Sequence, residues 1–134
     1  MYAQLPGRDR TQQQRAYSPA VITQGGRMVW LAGHTATQDN EGRDISYNFE
    51  AQVRQVFREL DNTLRRAGGS LVDMVTMTVF ILDVRLGTRF TEIRREIFPE
   101  GKYPGSALIT VAGFARPGIV IEIQGIAVLD ADGQ

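Results

Sequence analysis

The chain has 134 residues, enough for one domain that buries its own core; 43% of them are hydrophobic and 22% are charged. It has no cysteine, which excludes disulfides and thiolate sites, and its single histidine excludes a multi-histidine metal centre. Fifteen basic and fifteen acidic residues give a formal net charge of zero, so no overall field favours binding to nucleic acid or to an anionic membrane surface.

The N-terminal residues 1–15 are polar and predict a flexible arm, followed by a single domain over residues 16–134. No apolar run approaches the about 18 residues that a membrane helix needs. The N-terminus also lacks the apolar core of a secretory signal. We therefore expect a cytoplasmic protein without a membrane partner.

The first ordered element is predicted to be a β-hairpin. Ala20–Thr23 and residues 28–32 have the composition of strands, and Gly25–Gly26 between them predicts the turn. The second strand is apolar almost throughout, so burial on both faces is expected. Gly33 follows, and a glycine at a strand end lets its backbone amide approach a ligand. His34 is either an acid or base, or a hydrogen-bonded strand-end residue, which is the interpretation we favour.

Two amphipathic helices are predicted next. Apolar side chains recur every three or four positions over residues 49–67, with Asn48 as a suitable N-cap and Gly68 as a suitable end. A shorter helix over residues 88–98 ends before Pro99, which cannot continue it. Each helix needs a sheet on which to bury its apolar side.

Three further strands are predicted at residues 73–82, 106–111 and 118–129. The order of elements predicts an α+β protein in which two helices cover one face of a mixed sheet. The other face combines apolar with neutral side chains rather than with charged ones. This composition predicts that the protein associates with copies of itself through the uncovered face.

Glu122 is the main candidate for chemistry. In the last predicted strand, Ile121 and Ile123 point to one face, and Glu122 and Gln124 point to the other. A carboxylate between apolar neighbours suggests a largely dry cleft, in which it could accept or donate a proton. The alternative is that Glu122 faces solvent on an antiparallel sheet.

Five segments, in the same order, resemble the RidA/YjgF imine deaminase family, also called the endoribonuclease L-PSP family. They are AYSPA (16–20), LAGH (31–34), GGSLVDMV (68–75), TVFILD (78–83) and VIEIQGIAV (120–128). The resemblance implies a chorismate-mutase-like α+β fold that assembles as a homotrimer, with a cleft at each subunit interface. It also implies hydrolysis of small reactive enamines and imines, with no cofactor and no metal.

The resemblance also implies roles for individual residues. Tyr17 matches the tyrosine that lines the family's pocket, Gly33 matches the glycine whose backbone faces the substrate, and Glu122 matches the glutamate that positions the attacking water. In the deaminating members an arginine binds the substrate carboxylate through two hydrogen bonds, and Ser106 stands in its place. The asparagine of the family's second helix is also missing, and Thr91 stands near its position. A neutral hydroxyl cannot replace a guanidinium, so we expect an altered substrate range.

Arg116, on the loop before the Glu122 strand, is a further candidate substrate-binding residue, although an arginine in a loop is more often simply exposed. The leading hypothesis is a RidA-like hydrolase of small imines or enamines. The alternative is a non-catalytic regulatory trimer that binds a small molecule, which the substitution at Ser106 favours. A ribonuclease or translation inhibitor follows only from the labels of the family; zero net charge and one histidine argue against it, so no nucleic-acid partner is expected.

Overall fold

The structure, a computed structural model, describes residues 2–5 and 14–131. In chain order its strands and helices are β1 (Tyr2–Leu5), β2 (Ala20–Thr23), β3 (Arg27–His34), α1 (Phe49–Arg66), β4 (Met74–Ile81), α2 (Gly87–Ile97), β5 (Gly105–Thr110) and β6 (Ile121–Leu129). Within these described ranges, neither helix is both long enough and apolar enough to cross a membrane.

The main sheet has four strands in the order β3-β6-β4-β5. Strand β6 runs antiparallel to both β3 and β4. Strands β4 and β5 are parallel, because helix α2 forms the crossover between them. The α+β architecture with a mixed sheet and two helices, predicted from the sequence, is confirmed.

Both helices pack against one face of the main sheet, which we call the inner face. Helix α1 begins as predicted, since the Asn48 side chain accepts a hydrogen bond from the Ala51 amide at 3.1 Å. Phe57 of α1 lies between two rings from the α2 region, Phe90 and Phe98, with centroids 5.9 Å away in each case. These rings join the inner-face side chains of the strands in one hydrophobic core.

The opposite, outer face of the sheet remains exposed in the single chain. Met28 and Trp30 of β3 are 53% and 69% exposed, although Leu31 is buried on the inner side. The expectation that β3 is buried on both faces is therefore wrong for one chain, because the helices cover only the inner face and alternate residues of a strand point outward.

The predicted hairpin between β2 and β3 is wrong. The chain turns at Gly25–Gly26, where φ is 74° and 88°, but β2 pairs with β1 and β3 pairs with β6. A two-glycine turn is a local signal, whereas the choice of strand partner depends on distant parts of the chain. Strand β1 lies within the predicted flexible arm, residues 1–15. Residues 14 and 15 of this arm are also described, whereas residues 1 and 6–13 lie outside the described residues. The domain boundary at residue 16 stays a prediction.

Strand β4 departs from simple alternation at its start. The register with β6 shifts between Met74 and Thr76, and this irregularity turns Met74 into the core. Met77, Val79 and Ile81 are buried on the inner face. After this irregularity, the pairing of β4 with β6 places Phe80 opposite Glu122.

Candidate functional site

Glu122 lies on the outer face of β6, directly opposite Phe80 of β4. Its side chain is half-buried and borders a pocket of about 290 Å³, which is lined by Phe80, Val111, Gly113, Phe114, Ala115 and Glu122. The pocket thus combines one carboxylate with apolar side chains.

Gly33 of β3 provides the space that the Glu122 carboxylate occupies. A Cβ atom at position 33 would come within 2.9 Å of the carboxyl carbon of Glu122, so any side chain there would displace the carboxylate. Within residues 2–5 and 14–131, the Glu122 carboxylate makes no hydrogen bond or ion pair. We call Glu122, Gly33 and the adjoining pocket the outer half-site. Its carboxylate is free to bind water or a ligand.

Gln52 of α1 fixes the chain that leads into β6. Its amide is fully buried, and Nε2 donates to the carbonyl oxygens of Ile45 at 2.9 Å and Gly118 at 2.6 Å. Its Oε1 accepts from the Val120 amide at 3.0 Å. These three bonds hold the segment that enters the strand two residues before Glu122.

Three other predicted residues meet in a second pocket of about 210 Å³. This pocket is lined by Arg15, Tyr17, Thr91, Arg94, Ser106 and Leu108, and we call it the inner half-site. Ser106 pairs with Met77, whose side chain is in the core, so Ser106 faces the helices. Phe80, the neighbour of Glu122, points the other way. The two half-sites of one chain therefore lie on opposite faces of the sheet.

The segment around Tyr17 is attached to the start of β5. The Ser18 amide donates to the Pro104 carbonyl oxygen at 2.9 Å, and the Ser18 hydroxyl donates to that of Tyr103 at 2.6 Å. Ala16 before it is buried with a φ of 61°, a conformation that non-glycine residues seldom adopt. This attachment brings Tyr17 beside Ser106.

Arg94 of α2 is the residue that the sequence analysis missed. It is 2% exposed; Nη1 donates to Ser106 Oγ at 2.6 Å and Nη2 donates to the Arg15 carbonyl oxygen at 3.0 Å. Its Nε has no hydrogen-bond partner among the residues that the structure describes. Burial, and then the charge of Arg15, lower the pKa of Arg94 to about 10, so it still carries its charge at neutral pH. The available signal was its spacing, four residues after Phe90 and three before Ile97, within the apolar side of α2.

Arg116 and His34 lie apart from both pockets. Arg116 is exposed and lines a groove that adjoins the outer half-site at Phe114. His34 Nδ1 donates to the Ala32 carbonyl oxygen at 2.8 Å, and its Nε2 lies 2.9 Å from Thr63 Oγ1. These contacts agree with a hydrogen-bonded strand-end histidine. In the described part of the chain, no group of three or more metal-ligating side chains could hold a metal ion.

The sequence pattern of the endoribonuclease L-PSP family matches residues 7–129. The chain belongs to this family. A RutC family protein of Pyrococcus horikoshii is 29% identical over 111 residues, which cover 83% of this chain and 85% of that protein. The human 2-iminobutanoate/2-iminopropanoate deaminase is 25% identical over 112 residues, 84% of this chain and 79% of the human protein.

Solved structures of the RidA/YjgF family share the fold. The conserved Rid family protein YyfB from Yersinia pestis matches with a TM-score of 0.82 at 22% identity, over 95% of this chain and 97% of that one. The family resemblance inferred from five short segments is thus confirmed, and the fold extends over nearly the whole chain.

Proposed function

We propose that this chain is a hydrolase of small imines or enamines, in which Glu122 activates the attacking water. The observation that carries the proposal is the Glu122 carboxylate itself, held over Gly33 at the edge of a mostly apolar pocket and unpaired within the described residues. The human relative is by name a deaminase of 2-iminobutanoate and 2-iminopropanoate, which are small imines. The same class of substrate suits a pocket of about 290 Å³.

The proposed reaction adds one water and releases one ammonia. The water oxygen attacks the carbon of the C=N bond while Glu122 takes a proton from the water, and the electron pair of the double bond moves to nitrogen, which is protonated. The carbinolamine then collapses: the C–N bond breaks, ammonia leaves, and the oxygen loses its proton to form the carbonyl group. No atom changes oxidation state overall, so the chemistry requires no redox cofactor.

We further propose that the complete site forms between subunits of a homotrimer. The outer half-site of one subunit would meet the inner half-site of its neighbour, since one chain carries them on opposite faces of its sheet. The exposed side chains of Met28, Trp30 and Ile109 on the outer face support self-association. In such a cleft the Glu122 carboxylate would be sheltered from bulk water.

The test uses imines generated in place by an amino-acid oxidase, with ammonia and carbonyl product as the two readouts. Glu122→Ala should lower the rate by about 100-fold or more, the usual contribution of a positioned acid or base. Gln124→Ala is the matched control, because this exposed residue lies on the same strand and faces the same side. Equal rates for wild type and Glu122→Ala would remove the glutamate from the mechanism.

The alternative is a binding protein without turnover, and the presence of Ser106 in place of the family's arginine is the observation that favours it. In that case a small ligand would raise the melting temperature of the protein while no ammonia is released. The hydrolase proposal predicts both effects together.

A further inference from the structure

The inner half-site contains a buried positive charge without a negative partner. Within the described residues, no Asp or Glu oxygen lies within salt-bridge distance of Arg94, although this side chain is 2% exposed. Burying a charge without a negative partner is costly, so buried guanidinium groups are normally paired. The Phe90 ring, whose centroid lies 5.0 Å from the guanidinium carbon of Arg94, offsets only part of this cost. A second arginine, Arg15, lines the same pocket and adds to the positive potential. A bound anionic ligand would supply the negative charge that the described residues do not provide.

The hydrogen-bond donors of the pocket are only partly used. A guanidinium has five N–H groups; Arg94 uses Nη1 for Ser106 and Nη2 for the Arg15 carbonyl oxygen. In the described part of the chain, its Nε–H has no partner. The Ser106 hydroxyl accepts a bond from Arg94, so its own proton remains available for a ligand. The pocket thus combines the unused hydroxyl proton of Ser106 with the unused N–H groups of Arg94.

The dimensions and walls of the pocket restrict the anion. About 210 Å³ is small compared with typical ligand sites, and Leu108 and the Tyr17 ring supply apolar surface beside the donors. A short-chain carboxylate fits this combination, because its planar head matches the guanidinium fork while its carbon chain contacts the apolar wall.

We propose that the inner half-site binds a small monocarboxylate, and that Arg94, projecting from α2, supplies the cationic group that Ser106 cannot supply from β5. This inference rests on the proposed function only in taking the carboxylate to be part of the imine substrate. Carboxylate binding itself can be measured without turnover.

A purely structural role for Arg94 is the competing explanation, since it also fastens the N-terminal segment. The adjacent Arg95 offers a matched control for that role. Its Nη1 donates to the Gln14 carbonyl oxygen at 3.0 Å, yet its side chain is exposed and it does not line the pocket. Loss of Arg95 removes a comparable tether without changing the proposed site.

The experiment compares binding of propanoate, propanamide and inorganic phosphate to the full-length protein in its native assembly, at low ionic strength, by calorimetric titration. Wild type and Arg95→Gln should bind propanoate about tenfold or more tightly than propanamide, a difference of about 1.4 kcal/mol. Arg94→Gln should lose this preference, and the double variant R94Q/S106R should regain it, because the guanidinium returns from the strand. A preference that persists in Arg94→Gln, or that disappears equally in Arg95→Gln, would overturn the proposal, as would tighter binding of phosphate than of propanoate.

A second measurement covers the case in which Arg94→Gln does not fold. In wild type, the NMR signal of the Arg94 Nε–H should move on addition of propanoate and stay in place with propanamide; an unmoved signal overturns the proposal. The Glu122→Ala protein separates this inference from the proposed function, because it should lose turnover and still bind propanoate more tightly than propanamide. Retained propanoate binding without any turnover in wild type would contradict only the hydrolase, whereas turnover without carboxylate preference would contradict only the role of Arg94.

Discussion

The two half-sites are built in different ways. In the outer half-site, the backbone positions the carboxylate. The strand register puts Glu122 opposite Phe80, and Gly33 has no side chain that would displace the carboxylate. The inner one places a cation by side-chain hydrogen bonds, which connect Arg94 to Ser106 and to the Arg15 carbonyl group. The comparison teaches that the position of the Glu122 carboxylate depends mainly on the sheet, whereas the position of the Arg94 guanidinium depends on the meeting of α2, β5 and the segment before Tyr17.

The largest effect is expected from Gln52→Leu, which should lower the free energy of unfolding. Leucine keeps the bulk of the side chain but removes all three hydrogen bonds of Gln52. The Val120 amide then loses its acceptor, whereas the carbonyl oxygens of Ile45 and Gly118 keep only the bonds from the Asn48 and Tyr47 amides. We expect a loss of about 2–4 kcal/mol in the free energy of unfolding, measured by urea denaturation. The exposed Asn62→Ala on the same helix is the control and should change it by about 0.5 kcal/mol at most. A Gln52→Leu protein as stable as this control would contradict the assigned role.

Gly33→Ala should come next and should sharpen the account of the outer half-site. The new methyl group would push the Glu122 carboxylate from its position. We expect kcat/KM for imine hydrolysis to fall by about tenfold, or about 1.4 kcal/mol, with little change in stability, because the atom displaced is the end of a flexible side chain.

The control for Gly33→Ala is the double-mutant cycle with Glu122→Ala. If the glycine acts through the carboxylate, adding Gly33→Ala to Glu122→Ala should have almost no further effect on kcat/KM. Fully additive effects of the two substitutions would mean that position 33 acts independently of Glu122.

The smallest effect is expected from the ion pair between Glu50 of α1 and Arg89 of α2. Arg89 donates two hydrogen bonds to Glu50 Oε1, at 2.9 and 2.7 Å, and lowers the pKa of Glu50 below its usual value of 4.5. The ionised carboxylate therefore stabilises the fold at pH values above the unfolded pKa, and this contribution is lost as the pH falls through the folded pKa. Both side chains are substantially exposed, so the effect is expected to be small.

Thermal melts of wild type and Glu50→Gln from about pH 7 to about pH 3 test this expectation. Glu50→Gln should melt slightly lower at neutral pH, and the two curves should converge in acid. A difference that grows as the pH falls would contradict the assigned direction of the pKa shift.

The same contrast explains how much of the site could be predicted from the sequence. The face of β6 that carries Glu122 was predicted correctly because the alternation of a strand fixes which side chains share a face. Asn48 and Gly68 marked the ends of α1 for similarly local reasons. Arg94 was missed because a helical arginine is normally assigned to the solvent. Its burial results from contacts with Ser106 and Arg15, which are distant in sequence.

The errors in the fold have the same origin. Gly25–Gly26 correctly predicted a turn, but nothing local indicated that β2 would pair with β1 and β3 with β6. The apolar run of β3 likewise predicted two buried faces, while Trp30 is 69% exposed in the single chain. Strand pairing and subunit contacts are decided by long-range packing, which a local pattern does not record.

The central claim, that one site is shared between two subunits, is tested most directly by subunit mixing. Glu122→Ala lacks the outer half-site, and Ser106→Phe should block the inner one, so each protein alone should be inactive. When the two chains are co-expressed and the mixed trimers are purified, about one site in three should combine two intact halves, and imine hydrolysis should return to about a third of the wild-type level. Mixed oligomers that remain as inactive as the two parents would contradict the account.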